Sequence, residues 1–221
     1  MKSGVIEQTA TFVRGKLKGA EAGHDWWHIQ RVWQNTRLLL AHEPPGPDPM
    51  TCELAALLHD IADSKFHGGN ENIGPEMAGA FLRGLEVDAA VVEHVQNIIL
   101  HMSFKATLDG APKFRSPELE LVQDADRLDA IGAIGIARAF HYGGFKNREL
   151  YNPSVAPSLN QSKDEYKNST APTINHFYEK LLLLKDLMNT GTAKKIAEQR
   201  HRYMESFLEQ FILEWDGEPI L

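Results

Sequence analysis

The sequence has little that would place the protein outside the cell or in a membrane. Cys52 is its only cysteine, so an internal disulfide cannot form. A lone cysteine is also more often a small buried apolar residue than a nucleophile. The N-terminal segment has no apolar run typical of a signal peptide, and nowhere do roughly 18 apolar residues follow one another as a membrane span requires. We therefore expect a cytoplasmic protein.

An excess of positive charge and a β-strand pattern are also missing. The net charge is −7 with histidines counted as neutral, which disfavours a general nucleic-acid binder because such proteins need a basic face. A small basic pocket for one anionic ligand is still allowed. No useful run of alternating polar and apolar residues occurs, so the predicted fold class is all-α. A chain of 221 residues fits one domain, 1–221.

What the sequence does have is helical periodicity along most of its length. We expect Asp25, Thr51, Asp88 and Ser116 to begin helices, because short polar side chains cap helix N-termini. The predicted helices cover 5–18, 26–43, 51–63, 75–85, 88–102, 117–140, 173–190 and 192–215.

The polar segment 141–173 is long for a connection inside a compact domain, and its aromatic and charged residues favour a lid or pocket wall over a passive linker. The long amphipathic helices of region 174–215 could pack on their own domain or support a homodimer.

The stretch LLHDIADSK, residues 57–65, places His59, Asp60 and Asp63 within an apolar, alanine-rich helix. The spacing of three and four residues puts them on one side of that helix. Burying such groups without partners costs several kcal/mol. They are therefore either solvated on an exposed face or they hold a ligand.

The predicted helix 117–140 carries a regular apolar stripe with Asp126 and Asp129 at its centre. Carboxylates are almost never fully buried unless they are paired. One interpretation is a structural ion pair with Arg127 or Arg138, and the other is a metal site.

His28, in DWWHIQRVW, would alone indicate a buried structural histidine. Together with the His59–Asp60 pair and a later acid, it supplies two imidazoles and two carboxylates from different helices. This mixed nitrogen and oxygen set suits one divalent transition-metal ion, with Mn²⁺ our first expectation and Fe²⁺, Co²⁺, Ni²⁺ or Zn²⁺ as alternatives.

The motifs DWWHIQRV, LLHDIAD and DADRLDAIG, in that order over residues 24–140, resemble the signature of the HD-domain metal-dependent phosphohydrolases. The later runs AIGIARAFHYGGFK and HFYEKLLLLKDLMNT resemble a bacterial branch of nucleoside-triphosphate pyrophosphohydrolases. The resemblance implies an all-α HD domain with a metal-site core in 24–140.

This resemblance implies that His28, His59, Asp60 and Asp126 bind the metal ion. It selects Asp126 rather than Asp124, because Asp126 occupies the acid position of the ADRL motif. It also implies that Asp63 orients or deprotonates the attacking water. On the substrate side we expect basic and polar side chains, with Asp129 holding a ligand or a basic residue; these candidates are Arg31, Lys65, His101, Asp129, Lys146 and Arg148.

The predicted activity is metal-dependent hydrolysis of a nucleotide, with a (deoxy)nucleoside triphosphate split into monophosphate and pyrophosphate. A 5′-nucleotidase or a cyclic-nucleotide phosphodiesterase would use the same chemistry. A diiron oxygenase would need His94 or His101 as an additional ligand. A non-catalytic nucleotide-binding module is disfavoured by the intact ligand set.

Overall fold

The computed structural model describes residues 2–19, 25–62, 70, 72–102, 114–159 and 169–217. Within these ranges the chain is helical and has no β-strand, which confirms the predicted class. The elements in chain order are α1 (Lys2–Lys16), α2 (Trp26–His42), α3 (Pro49–Leu58), α4 (Ile73–Gly84), α5 (Ala89–His101), α6 (Pro117–Asp129), α7 (Gly132–Phe145), α8 (Thr173–Glu179), a 3₁₀ helix (Leu181–Leu187) and α9 (Gly191–Asp216).

Side-chain caps set the beginnings of several helices. Asp25 accepts a hydrogen bond from the backbone N–H of His28, and Ser116 caps α6 in the same way through the N–H of Leu119. The predicted cap Thr51 is instead the third residue of α3. The cap is Asp48, which accepts from both the backbone N–H and the hydroxyl of Thr51.

Helix α3 lies at the centre of the bundle. Its residues from Leu54 to Leu58 are all fully buried, so the half of the helix next to His59 has no solvated face. It packs against α1, α2, α5 and α6, and α2 and α6 also pack extensively against each other. The helix ends at Leu58 rather than at residue 63, so His59 and Asp60 leave the bundle core at its C-terminus.

The predicted helix 117–140 is two helices. Helix α6 ends at Asp129, Ile131 is extended, and Gly132 has a left-handed φ of 75° that starts α7 in a new direction. Ala133, which the apolar stripe places in the core, is exposed, and Ile136 and Phe140 are half-buried. The apolar stripe therefore continues in the sequence, although the helix is interrupted between Asp129 and Gly132.

We expect Gly132→Ala to lower the free energy of unfolding by about 1–3 kcal/mol, because a Cβ is disfavoured at this φ. That Cβ would also lie 2.9 Å from Cγ of Arg200. Urea unfolding measures the change. Gly144→Ala in the same helix is the control, because its Cβ meets nothing within 4 Å. Equal stability of the two variants would contradict the assignment of strain to Gly132.

The C-terminal region also differs from its prediction. Backbone dihedrals at Lys180 end α8, and the leucine-rich run continues as a 3₁₀ helix instead of one long α-helix. Phe140 packs with Phe177, Phe207 and Phe211, which joins α7, α8 and α9. Helix α7 covers the first residues of the predicted lid 141–173, residues 146–159 are irregular, and 160–168 lie outside the described part of the chain.

In the part of the chain that the structure describes, every helix is too short or too polar to span a bilayer. The cytoplasmic location and the homodimer stay predictions.

Candidate metal centre

Helix α2 carries His28 on its buried face. The ring is almost completely buried, and the cap at Asp25 fixes the turn from which it projects. Its Nε2 atom lies 3.6 Å from Oδ2 of Asp60 and 3.6 Å from Oδ1 of Asp126. His28 therefore reaches two carboxyl groups from two other parts of the chain.

The end of α3 supplies His59 and Asp60. His59 Nδ1 donates to the carbonyl oxygen of Ala56 at 2.9 Å, so in the neutral imidazole Nε2 carries the lone pair. That Nε2 lies 3.8 Å from Asp60 and 3.9 Å from Asp126. It is buried and makes no hydrogen bond to any described residue. A buried acceptor without a donor costs free energy, and a cation between these atoms would remove that cost.

The geometry of the four side chains fits one shared ion. His28, His59 and Asp60 offer ligand atoms that all lie within 4.8 Å of one another. Two atoms that each bind the same ion at about 2.1 Å can be at most about 4.2 Å apart. The four separations of 3.6–3.9 Å between histidine nitrogens and the oxygens of Asp60 and Asp126 meet this limit. We call these four side chains the metal cluster.

Asp129 lies behind His28 rather than in the metal cluster. Its side chain is 2% exposed, and its Oδ2 is 2.8 Å from His28 Nδ1. Arg31 binds both of its oxygens, and Arg138 donates to Oδ2 at 2.6 Å. The sequence suggested Arg138 as a structural partner of a buried acid, and the structure places it in that role. Its signal was a single arginine in the otherwise small and apolar run GAIGIARAF.

The charges around the metal cluster shift the pKa values of His28 and Asp129 when no metal ion is bound. Burial disfavours the imidazolium form of His28, but hydrogen bonds to Asp129 and Asp60 outweigh it and raise the pKa of His28 to about 9. Burial also works against ionised Asp129. Hydrogen bonds from His28 and Arg31, together with the charge of Arg138, hold the pKa of Asp129 well below its usual range. The region is thus built around an ionised Asp129.

His94 and His101 lie on α5, against the ring of Phe114. His94 Nε2 is 2.9 Å from the hydroxyl of Ser116 and 3.5 Å from a carboxyl oxygen of Glu118. His101 Nδ1 bonds to the carbonyl oxygen of its own helix at Asn97. Neither belongs to the metal cluster that the described residues form. This arrangement gives the diiron alternative no support.

The other predicted substrate residues are placed as follows. Lys146 lies over the rings of Tyr142 and Phe145 at the end of α7. Arg148 packs on Tyr142 and donates to the carbonyl of Ser169. A substrate role for Lys146, Arg148 and His101 stays a prediction. Asp63 and Lys65, the predicted water-orienting acid and phosphate contact, lie outside the described residues.

A family model supports the same motifs. The model described as HD domain matches residues 26–131, which include all four members of the metal cluster. YpgQ of Bacillus subtilis (strain 168) is 37% identical over 206 residues, which cover 92% of this chain and 90% of YpgQ.

Three solved structures have the same fold as this chain. A Lactobacillus plantarum protein has a TM-score of 0.84 and 38% identity, and the alignment covers 96% of this chain and 97% of that protein. An HD-superfamily hydrolase from Bacillus thuringiensis has a TM-score of 0.76 and 44% identity, and the alignment covers 99% of this chain and 100% of that hydrolase. YpgQ from Bacillus subtilis in complex with ADP has a TM-score of 0.73 and 33% identity, with coverages of 95% and 94%.

These similarities extend over nearly the whole chain and confirm the family that the three sequence motifs indicate. With the metal cluster inside the matched segment, the conclusion is that this chain belongs to the HD-domain family and is a hydrolase of the HD superfamily.

Proposed function

We propose that this protein is a metal-dependent phosphohydrolase that converts (deoxy)nucleoside triphosphates to monophosphates and pyrophosphate. The observation that carries the proposal is the metal cluster, and within it the buried Nε2 of His59, which makes no hydrogen bond in the described part of the chain. Such an atom is explained by a bound cation, and a cation bound next to open space suits hydrolysis of phosphate esters and anhydrides.

The donor set favours a transition-metal ion. Two imidazole nitrogens and two carboxylate oxygens suit Mn²⁺, Fe²⁺, Co²⁺, Ni²⁺ or Zn²⁺ better than an oxygen-preferring ion such as Mg²⁺. The charges of Asp60 and Asp126 match one divalent cation. We propose Mn²⁺ as the ion used, with the other four as alternatives.

When bound, the ion would lower the pKa of a coordinated water and polarise a phosphoryl oxygen. The chain's own residues hold it and shape the charge around it. Asp126 is 38% exposed, so the cluster is open to solvent on the side of α6 and a substrate could reach it. Asp63 is proposed to orient the attacking water, as the resemblance implies.

The local charge also favours an anionic substrate. Arg31 and Arg138 both bind the carboxylate of Asp129, so two guanidinium groups lie beside the metal cluster. Both guanidinium groups are partly exposed. A cationic surface next to the reacting centre stabilises the charge that develops in phosphoryl transfer.

The nucleotide part of the proposal is supported by a relative. The structure of YpgQ has been solved in complex with ADP, and 90% of the length of YpgQ aligns with this chain. A diphosphate nucleotide bound to that protein is consistent with a nucleoside polyphosphate as substrate here. The monophosphatase and cyclic-phosphodiesterase alternatives use the same cluster and differ in the bond that is broken.

The products of dATP hydrolysis test the proposal. In the proposed reaction the water oxygen bonds to the α-phosphorus, the bond from that phosphorus to the α–β bridging oxygen breaks, and pyrophosphate leaves. With Mn²⁺ and ¹⁸O-labelled water, we expect dAMP and pyrophosphate in equal amounts, with the label in dAMP. An analogue with a methylene group in place of the α–β bridging oxygen is the control and should not react. Release of orthophosphate alone, or hydrolysis of dAMP or cyclic AMP instead of dATP, would overturn the proposal.

A further inference from the structure

Asp129 is the most heavily bonded side chain near the metal cluster. Its Oδ1 accepts from Nε of Arg31 at 2.6 Å. Its Oδ2 accepts from His28 Nδ1 at 2.8 Å, from Arg138 at 2.6 Å and from a second nitrogen of Arg31 at 3.1 Å. Three of these four hydrogen bonds are made to Oδ2, the oxygen that faces His28. The described contacts of Asp129 therefore hold His28 and the two arginines together.

We infer that Asp129 is a positioning residue that fixes the tautomer and the orientation of His28 for metal binding. This inference rests on the metal site of the proposed function. Because an ionised carboxylate only accepts, the Nδ1 atom of His28 must carry a proton. Metal binding at Nε2 is then the only arrangement that keeps this hydrogen bond, and Nε2 is the atom that faces Asp60 and Asp126.

The two histidines of the metal cluster differ in the group that accepts a hydrogen bond from Nδ1. His59 Nδ1 donates to a neutral backbone carbonyl at Ala56, whereas His28 Nδ1 donates to a charged carboxylate. A carboxylate partner makes an imidazole more basic and a stronger metal ligand than a carbonyl does. His28 is therefore the stronger nitrogen donor of the two, and its strength depends on Asp129.

Arg31 and Arg138 keep Asp129 in its ionised form. Asp129 is almost fully buried and lies one imidazole ring away from Asp60 and Asp126, which would otherwise disfavour a third negative charge. The two guanidinium groups compensate that repulsion and the cost of burial. They come from α2 and α7, so the orientation of His28 is fixed by three helices at once.

The substitution Asp129→Asn tests the inference through metal affinity alone. Asparagine keeps the size of the side chain but removes the charge that the imidazole requires. Loss of a partner of a metal-binding histidine typically costs 10–100-fold in affinity. We expect titration calorimetry with Mn²⁺ to show a fall of this size. Glu118→Gln, a matched change of a buried acid in the same helix, should keep the affinity within about twofold. An unchanged affinity in Asp129→Asn would overturn the inference.

A second measurement uses the unaltered chain and does not depend on the folding of a variant. In the Zn²⁺-loaded protein, long-range ¹H–¹⁵N spectra of the imidazoles should show His28 protonated at Nδ1. A proton at Nε2 would overturn the inference. Neither measurement uses a nucleotide, so unchanged Mn²⁺ binding in Asp129→Asn leaves the proposed hydrolysis intact. Failure of the unaltered protein to bind Mn²⁺ would overturn both.

Discussion

His59→Ala is expected to lower Mn²⁺ affinity and dATP hydrolysis by more than about 100-fold, because even an indirect partner of a metal ligand contributes 10–100-fold. Among the described groups, the same change removes one hydrogen bond, from Nδ1 to the carbonyl of Ala56. Its Nε2 has no described partner to leave unpaired. The metal-free variant should therefore stay folded, and circular dichroism checks this.

The control for this experiment is His42→Ala. His42 is exposed at the end of α2, and among the described groups its side chain bonds only to the carbonyl of Leu38. We expect it to keep both affinity and activity. Metal analysis of the unaltered protein should give one ion per chain, and two ions would favour the diiron alternative. Full hydrolysis by His59→Ala would contradict the proposed mechanism.

Asp124→Ala is expected to lower the free energy of unfolding by about 3–5 kcal/mol. Asp124 is fully buried and accepts hydrogen bonds from the backbone N–H groups of Asn189 and Thr190 and from the Asn189 side chain. These groups lie at the start of α9, where Thr190 caps the helix. Alanine would leave the two backbone N–H groups without this acceptor, and each unpaired group costs about 1–3 kcal/mol. The Asn189 side chain would keep its bonds to Glu120 and Gln123.

Urea unfolding in the presence of a chelator measures this change without a contribution from metal binding. Glu120→Ala on the same helix is the control. Glu120 forms a surface ion pair with Arg115, and such pairs contribute at most about 1 kcal/mol. A loss of less than 1 kcal/mol in Asp124→Ala would show that the start of α9 is held mainly by other contacts.

Local sequence signals predict much of this fold. Asp25, Asp88 and Ser116 cap helices as their residue types indicate, and periodicity alone gives the all-α class. The break at Gly132 could not be read in the same way. The apolar spacing runs on through residues 119–140, because helices on both sides of the break have an inner face. The extended backbone of Ile131 and the positive φ of Gly132 separate them.

The candidate site was predictable to a different degree. Its residues are named by three short motifs, and the structure brings the side chains of His28, His59, Asp60 and Asp126 together. Their action as ligands stays a prediction. The joint attachment of Arg31 and Arg138 to Asp129 depends on how three helices cross, which a sequence pattern does not encode.

The separation of the cluster's members along the chain has a consequence for biosynthesis. His28 and Asp129 are 101 residues apart, and Arg138 follows nine residues later. The metal cluster is therefore incomplete in a growing polypeptide until Asp126, just past the middle of the 221 residues, has been made. His28, His59 and Asp60 are synthesised well before Asp126, Asp129 and Arg138. With the four side chains of the metal cluster as ligands, we expect full metal binding only after Asp126 has been made, and premature termination before Asp126 would yield a product that lacks one of the four proposed ligands.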